Sequence, residues 1–351
     1  VPLITVETLQ DLIESGDKNS LKVLTAILED PTGYGRIVRD YDDNMLCITE
    51  EKDADEETKL INEINTGIMC IPAKWLTEAL SQLDNNNAQG EYYLTDLIAK
   101  AVNQGIEINS VTCEDEMEVA GVNNRVQLAE LESYYQQKRA TDLMMSGVTF
   151  RDPARVDIRG ELKAGQDITI DINVIFEGHN TIADNVSIGA HCIIINSVIH
   201  EGAEILPNSI IENAEVGTDC SVGPYARIRP GTKLAAKAKV GNFVEIKNAN
   251  IGLGSKINHL SYIGDTDMGA DVNIGAGTIT CNYDGANKHR TVIGDRVFVG
   301  SDTQLVAPVT VEDGATIGAG STIRKTAPAD ALTLTKSEQK TVKGWVRPVK
   351  K

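Results

Sequence analysis

The feature that most constrains this chain is a six-residue period that starts at Val156. Every sixth residue from there is Val156, Leu162, Ile168, Val174, Asn180, Val186, Cys192, Val198, Glu204, Ile210, Val216, Val222, Ile228, Leu234, Val240 and Ile246. Fourteen of these sixteen are apolar, and a composition of 41% apolar residues would put fewer than half as many there. The phase then slips by one residue and resumes through Ile251, Ile257 and Ile263. After an interruption it returns as Ile293, Val299, Leu305, Val311, Ile317 and Ile323. Gly often follows the aliphatic position, as at Val216-Gly217, Val240-Gly241, Ile263-Gly264 and Val299-Gly300.

A hexad is long enough for one short strand and one turn, so three hexads close a triangular coil. The aliphatic residue points into the prism and stacks on its equivalents in the coils above and below. Gly is expected at the corner, where positive φ is often required. A prism this narrow excludes large rings, in keeping with an aromatic content of 4%. The period itself excludes helical repeats, which run to roughly 33–47 residues. A parallel β-helix is predicted, and the hexad length points to the left-handed kind, an exception to the usual right-handed crossover. Residues 275–290 cannot hold the hexad phase and are expected to leave the prism as a loop. Insertions in solenoids tend to carry binding surfaces, because the coils themselves only stack.

Residues 1–121 read differently. Helical spacing at 9–13, 21–28 and 94–103 alternates with strand-like runs at 35–38, 67–71 and 106–111. This predicts an α/β, Rossmann-like unit built on a parallel sheet, with too few strands to complete a nucleotide-binding sheet. Residues 122–147 contain Leu128, Leu131, Tyr135 and Leu143 at helical spacing, with Gly147 as the stop, and are expected to form a linker helix. The β-helix is expected over 148–331, followed by a tail over 332–351 with six basic residues and one acid.

The whole chain has 33 basic and 51 acidic residues, a net charge of −18. Such a field repels nucleic acid and anionic membranes, so neither is an expected partner. An anionic substrate would need a local basic cluster. No apolar run reaches membrane-spanning length and no signal peptide can be read, so a cytoplasmic protein is expected. The six cysteines are scattered without a CxxC pair, which suits free thiols in a reducing compartment.

Longer strings carry a resemblance. These are Val240-Gly241-Asn242-Phe243-Val244-Glu245-Ile246-Lys247, Asn258-His259-Leu260-Ser261-Tyr262-Ile263-Gly264-Asp265, Asn273-Ile274-Gly275-Ala276-Gly277-Thr278 and Cys281-Asn282-Tyr283-Asp284-Gly285. With Gln89-Gly90-Glu91-Tyr92-Tyr93-Leu94-Thr95-Asp96 and Gly121-Val122-Asn123-Asn124-Arg125, the chain resembles the bacterial bifunctional N-acetylglucosamine-1-phosphate uridyltransferase/glucosamine-1-phosphate N-acetyltransferase family over nearly its full length. The resemblance implies that the β-helix is a homotrimer that moves acetyl from acetyl-CoA to the amine of glucosamine-1-phosphate. It also implies a first domain, here partial, that uses UTP and Mg2+ to make UDP-N-acetylglucosamine for peptidoglycan and lipopolysaccharide.

By motif position the resemblance implies His259 as the general base. Arg229, Lys247 and Lys288 would bind the sugar phosphate, and Tyr262 and Asn273 would orient the sugar. Asn282 and Tyr283 would place the acetyl group, with Ala276, Ser301, Ala319 and Lys336 against acetyl-CoA. Lys336 stands where the family is basic but often has Arg, so its role is open, and the tail either faces the CoA phosphates or is solvated. Gly35, Glu50, Asn65 and Asn123 would be a remnant of the UDP-sugar site, with Asn123 also a magnesium ligand.

Rival readings are a pyrophosphorylase whose β-helix only assembles subunits, and a non-catalytic trimeric scaffold. In the family a Gly-rich phosphate loop and a metal-binding Asp precede the stretch Val1-Pro2-Leu3-Ile4. This chain is therefore expected to lack nucleotidyl transfer. Incubation with UTP and N-acetylglucosamine-1-phosphate should release no pyrophosphate; release at an ordinary enzymatic rate would overturn that expectation.

Overall fold

A computed structural model describes residues 1–336 and 338–350. The chain divides into two compact units, Val1–Tyr135 and Gln136–Lys351. The division falls within one helix, Arg125–Met145, whose Leu131 and Ala140 are buried while Leu128 and Tyr135 are exposed.

The first unit is built on a five-stranded sheet in the order Met45–Thr49, Arg36–Arg39, Glu63–Cys70, Leu21–Ile27, Ile108–Cys113. Only the pair Leu21–Ile27 with Ile108–Cys113 is parallel, so the all-parallel expectation is corrected to a mixed sheet. The expected helix over 21–28 is also corrected, to the strand Leu21–Ile27. Leu21 and Val23 pack with Ile98 and Ala101 of the helix Asp96–Asn103, while Leu24 and Ala26 pack with Leu12 of the helix Val6–Glu14. A strand covered on both faces is apolar at successive positions, and such a run has no period of two to distinguish it from a helix.

From Val148 onward the chain winds into a parallel β-helix. One face is an eleven-stranded parallel sheet from Val148–Phe150 to Leu332–Thr333. It therefore extends two residues into the segment read as tail. The other two faces share the long strands Val156–Ala164 and Val174–Ile182, then separate into two ladders of short strands. The exposed edge of the first coil is capped by Gln136, whose Oε1 accepts from Ile158 N–H at 2.9 Å and whose Nε2 donates to Ile158 C=O at 3.1 Å. This satisfies backbone groups that no earlier coil could pair.

The inward row corrects the unbroken hexad frame. It runs Ile170, Phe176, Ile182, Ile188, Ile194, then takes a five-residue step to Ile199, Ile205 and Ile211, and a second to Val216. All of these are at most 2% exposed, whereas Val198 and Glu204 are exposed and Ile210 is half-buried. Isoleucines in tandem at 193–195 and 210–211, and the pair Val198-Ile199, let either frame read as apolar. Ile168, Val174, Asn180, Val186 and Cys192 are buried as well, at a second inner position two residues before the main row.

Gly serves in two ways. Gly223, Gly231, Gly254 and Gly277 have the expected positive φ, as do corner residues such as Asn213, Asn248 and Asp265. Gly241 has no positive φ, but a Cβ there would lie 1.9 Å from Asn258 C=O in the next coil, so the requirement there is close approach of backbones. Among the described residues no helix is long and apolar enough to cross a membrane, and all six cysteines are free.

Ile246 is fully buried between Ile228 and Ile263 of adjacent coils. Replacing it with Ala should destabilise the β-helix by about 2–5 kcal/mol. Chemical denaturation followed by far-UV circular dichroism measures this, and a loss below about 1 kcal/mol would mean that the coils close over the cavity.

Candidate active site

One corner of the prism carries Asn196, Asn213, Asn248 and Asp265, all at positive φ between 44° and 46°. Asn and Asp adopt this conformation more readily than other side chains that carry a Cβ. The equivalent position in the next coil is Asn282, and there the chain leaves the prism. The excursion closes on itself. His289 N–H donates to Asn282 C=O at 2.8 Å, Tyr283 pairs antiparallel with Lys288, and the Tyr283 hydroxyl donates to Gly285 C=O at 2.6 Å. Asp284 accepts from the backbone N–H groups of Asn287 and Ala286 at 2.7 and 2.8 Å and lies 2.7 Å from His289 Nε2. These donors hold its carboxyl far below the usual carboxylate range. The coil resumes at Thr291, whose N–H donates to Asp265 C=O at 3.1 Å.

Three cations gather at this corner. Ile228 pairs with Ile246, and Ile246 and Lys247 pair with Ile263 and Gly264, so Arg229, Lys247 and Gly264 follow one another on successive coils. Lys288 reaches Lys247 from the loop, and its proximity, reinforced by desolvation and by Arg229, pushes the Lys247 ammonium below the usual lysine range. Asp265 opposes that shift. Arg229 is held by Glu245 at 2.6 Å, which raises its pKa. Next to these, Tyr262 and Asn282 converge on Gly264. A Cβ on that glycine would lie 2.5 Å from the Tyr262 hydroxyl and 2.8 Å from Asn282 Nδ2.

His259 ends the strand Lys256–His259 and pairs in register with Asn242. Its Nδ1 is 3.1 Å from Asn242 Oδ1. With that oxygen as acceptor, Nδ1 carries the proton, and in the neutral imidazole Nε2 is then the nitrogen with the lone pair. Register carries the column further: Ile257 pairs with Ile274, Ile274 with Val299, and Val299 with Ile317. Two residues beyond each lie His259, Ala276, Ser301 and Ala319, so these four occupy one corner on successive coils. Asp302 N–H to Ala276 C=O and Gly320 N–H to Ser301 C=O, each 2.8 Å, hold that corner together. The surface there is low, with backbone and small side chains only.

Other candidates lie apart from this group. Asn273 is half-buried between Lys256 and Phe298, at the far end of its strand from Ala276. Lys336 is exposed and follows Thr335, whose N–H donates to Ser321 Oγ at 3.2 Å. Tyr283 is exposed on the loop. In the first unit, Asn65 N–H donates to Gly35 C=O at 2.8 Å, a Cβ on Gly35 would be 3.4 Å from Glu50 Oε2, and Thr95 donates to Glu50 Oε1 at 2.9 Å. Asn123 is exposed, with its N–H donating to Gln127 Oε1 at 2.8 Å. Among the described residues no group of three or more His, Cys, Asp or Glu side chains is placed to hold a metal ion. One carboxamide does not supply the oxygen cage that Mg2+ demands.

Sequence reasoning assigned no role to Asn242, Glu245, Asp265 or Thr95. Asp265 closes one of the quoted strings, but only the coil-to-coil offset of 17 residues places it between Asn248 and Asn282.

A parallel β-helix of hexapeptide repeats, interrupted by a corner loop one coil beyond a tautomer-fixed histidine, is the architecture of an acyl-transferring hexapeptide protein. Residues 290–325 match the bacterial transferase hexapeptide (six repeats) family, and residues 158–256 match the GMPPB C-terminal domain. The chain is 55% identical to the bifunctional protein GlmU of Cupriavidus pinatubonensis, over its full length and 77% of that protein's. The bifunctional protein GlmU of Ralstonia pickettii is likewise 55% identical, over the same shares of each chain. The chain belongs to the bifunctional GlmU family, and its β-helix is the left-handed acetyltransferase helix of that family.

The Lys247–Lys288 proximity is directly testable. Lys288→Met should raise the Lys247 pKa toward the ordinary lysine value, because the larger of the opposing cations is removed. Titration of side-chain methylene signals in isotopically labelled lysine reads this; an unchanged Lys247 titration would show that the two ammonium groups do not face each other.

Proposed function

We propose that the site transfers acetyl from acetyl-CoA to the amine of glucosamine-1-phosphate, giving N-acetylglucosamine-1-phosphate. The observation that carries this reading is the corner column of Asn242, His259, Ala276, Ser301 and Ala319. A histidine heading a column of small residues supports the reading, because small side chains leave the backbone open to a pantetheine arm.

In this mechanism Arg229, Lys247 and Lys288 hold the sugar phosphate, and Arg229 presents a planar fork for two parallel contacts. Phosphate binding would relieve the repulsion between the two lysines. Tyr262 and Asn273 orient the sugar, with Asn273 supplied across a subunit boundary in the homotrimer we assign to this chain. The ridge of Tyr225 and Phe243, whose rings stack at 5.4 Å beside exposed Leu260, is the surface that a second copy would cover. His259 Nε2 takes a proton from the amine as the nitrogen attacks the thioester carbon. The C–N bond forms, the C–S bond breaks, and the proton passes from His259 to the departing CoA thiolate. Asn282 and Tyr283 place the acetyl group, and Lys336 and the basic tail lie toward the CoA phosphates.

The Gly35, Glu50 and Asn65 group, with Asn123, is assigned to the UDP-sugar part of the uridyltransferase site. Mg2+ and UTP belong to that reaction, and the protein is assigned to the cytoplasm. A scaffold reading is not favoured, because a scaffold needs neither a tautomer-fixed histidine nor a loop pinned at its root.

His259→Ala should lower acetyl transfer by about 10²–10⁴-fold while leaving the melting temperature unchanged. Free CoA, measured by a thiol reagent in the presence of glucosamine-1-phosphate and acetyl-CoA, is the readout. Wild-type turnover in the folded variant would remove His259 from the mechanism, and a folded wild type that releases no CoA would favour the scaffold.

A further inference from the structure

The corner that leads into the loop runs Asn196, Asn213, Pro230, Asn248, Asp265 and Asn282. Between the last two Asn residues stands Asp265, although Asn would satisfy the positive φ equally well. Asp265 is only 7% exposed, and burying a carboxylate is costly unless donors surround it. Its two oxygens face two different coils. Asn248 Nδ2 donates to Oδ1 at 2.5 Å from the coil below, and Asn282 Nδ2 donates to Oδ2 from the coil above. Lys247 and Arg290 flank it, and both feel its charge.

The chemical consequence concerns Asn282. A ladder of carboxamides alone can run in either direction, since each offers both a donor and an acceptor. An ionised carboxylate only accepts, so the amide above it must turn its NH2 downward. That leaves Oδ1 of Asn282 as the atom available to an incoming N–H donor, and among the described residues it accepts no hydrogen bond. The Nδ2 end of the same carboxamide lies next to Gly264, where the Tyr262 hydroxyl also converges.

We infer that Asp265 is a positioning residue for acetyl transfer: it fixes the carboxamide of Asn282 so that Oδ1 accepts from the amine of the sugar and aims its lone pair at the thioester. The inference rests on the acetyl-transfer reading above. Asp265 touches no substrate: it orients the nucleophile through Asn282, and its charge separately supports the Lys247 ammonium.

The test uses the full chain and two variants. Asp265→Asn keeps the shape but pairs donor with donor, so either Asn248 or Asn282 must invert. Its kcat should fall by between about 10- and 100-fold, the range expected for a misplaced orienting group, with KM for glucosamine-1-phosphate unchanged or lower. The double variant Asn248→Asp/Asp265→Asn moves the carboxylate one coil down. The new carboxamide at position 265 then donates downward and accepts from Asn282, so kcat should return to within about threefold of wild type. A residue needed only for folding would lower kcat through lost active protein, and relocating the charge would not restore it. Asp265→Asn with wild-type kcat, or a folded double variant as slow as the single, overturns the inference. Should the single variant melt too early to assay, the double still decides. A wild type that releases no CoA overturns the acetyl-transfer reading, and this inference with it.

Discussion

The site depends on the hydrogen bonding of each coil to the next in parallel register. Arg227 N–H donates to Val244 C=O at 2.9 Å, Arg229 N–H to Ile246 C=O at 2.8 Å, and Tyr262 N–H to Thr278 C=O at 3.0 Å. Each bond satisfies a backbone group that would otherwise be buried unpaired in a thin prism. The same bonds fix the vertical spacing at about 4.8 Å, so residues 17 or 18 apart in sequence become side-chain neighbours. A column of like positions is therefore a contact list. His259 meets Asn242, and Asp265 meets both Asn248 and Asn282, without any long-range folding event.

That register also explains how an acidic protein can hold an anion. The net charge of −18 is spread over the surface, while the corner below the loop stacks Arg229 and Lys247 and receives Lys288 from above. Nearby carboxylates are already committed, Glu245 to Arg229 and Asp267 to Arg290. Partly exposed pairs of this kind contribute little to stability, so a phosphate can displace or share them at small cost. Screening confines the distant acidic field to about 8 Å at physiological ionic strength, and the local triplet dominates within that range.

Much of this was legible in the sequence, for a physical reason. A solenoid interior repeats with the coil, so Val216 through Ile246 and Ile293 through Ile323 declared their burial directly. The period failed where two apolar residues stood side by side, at Val198-Ile199 and Ile210-Ile211, because either could be the inward one. The strand Leu21–Ile27 was misread since a run buried on both faces carries no alternation. Cations and His259 stood out by residue type and motif. Asp265 did not, because its function lies in what its two oxygens accept, and that is set by coil height rather than by local sequence.

The loop can be inserted because the corner is the one place where a coil can be opened without breaking a face. Thr266 pairs with Thr291 and Met268 with Ile293, so the ladder resumes as though residues 283–290 were absent. Order within the excursion comes from Asp284, whose carboxyl is held far below its usual range by Asn287, His289 and Ala286. A depressed carboxylate contributes its stabilisation at every pH above its unfolded value and loses it only as pH falls through the folded one. Asp284 therefore stays ionised throughout the range in which a histidine base can work.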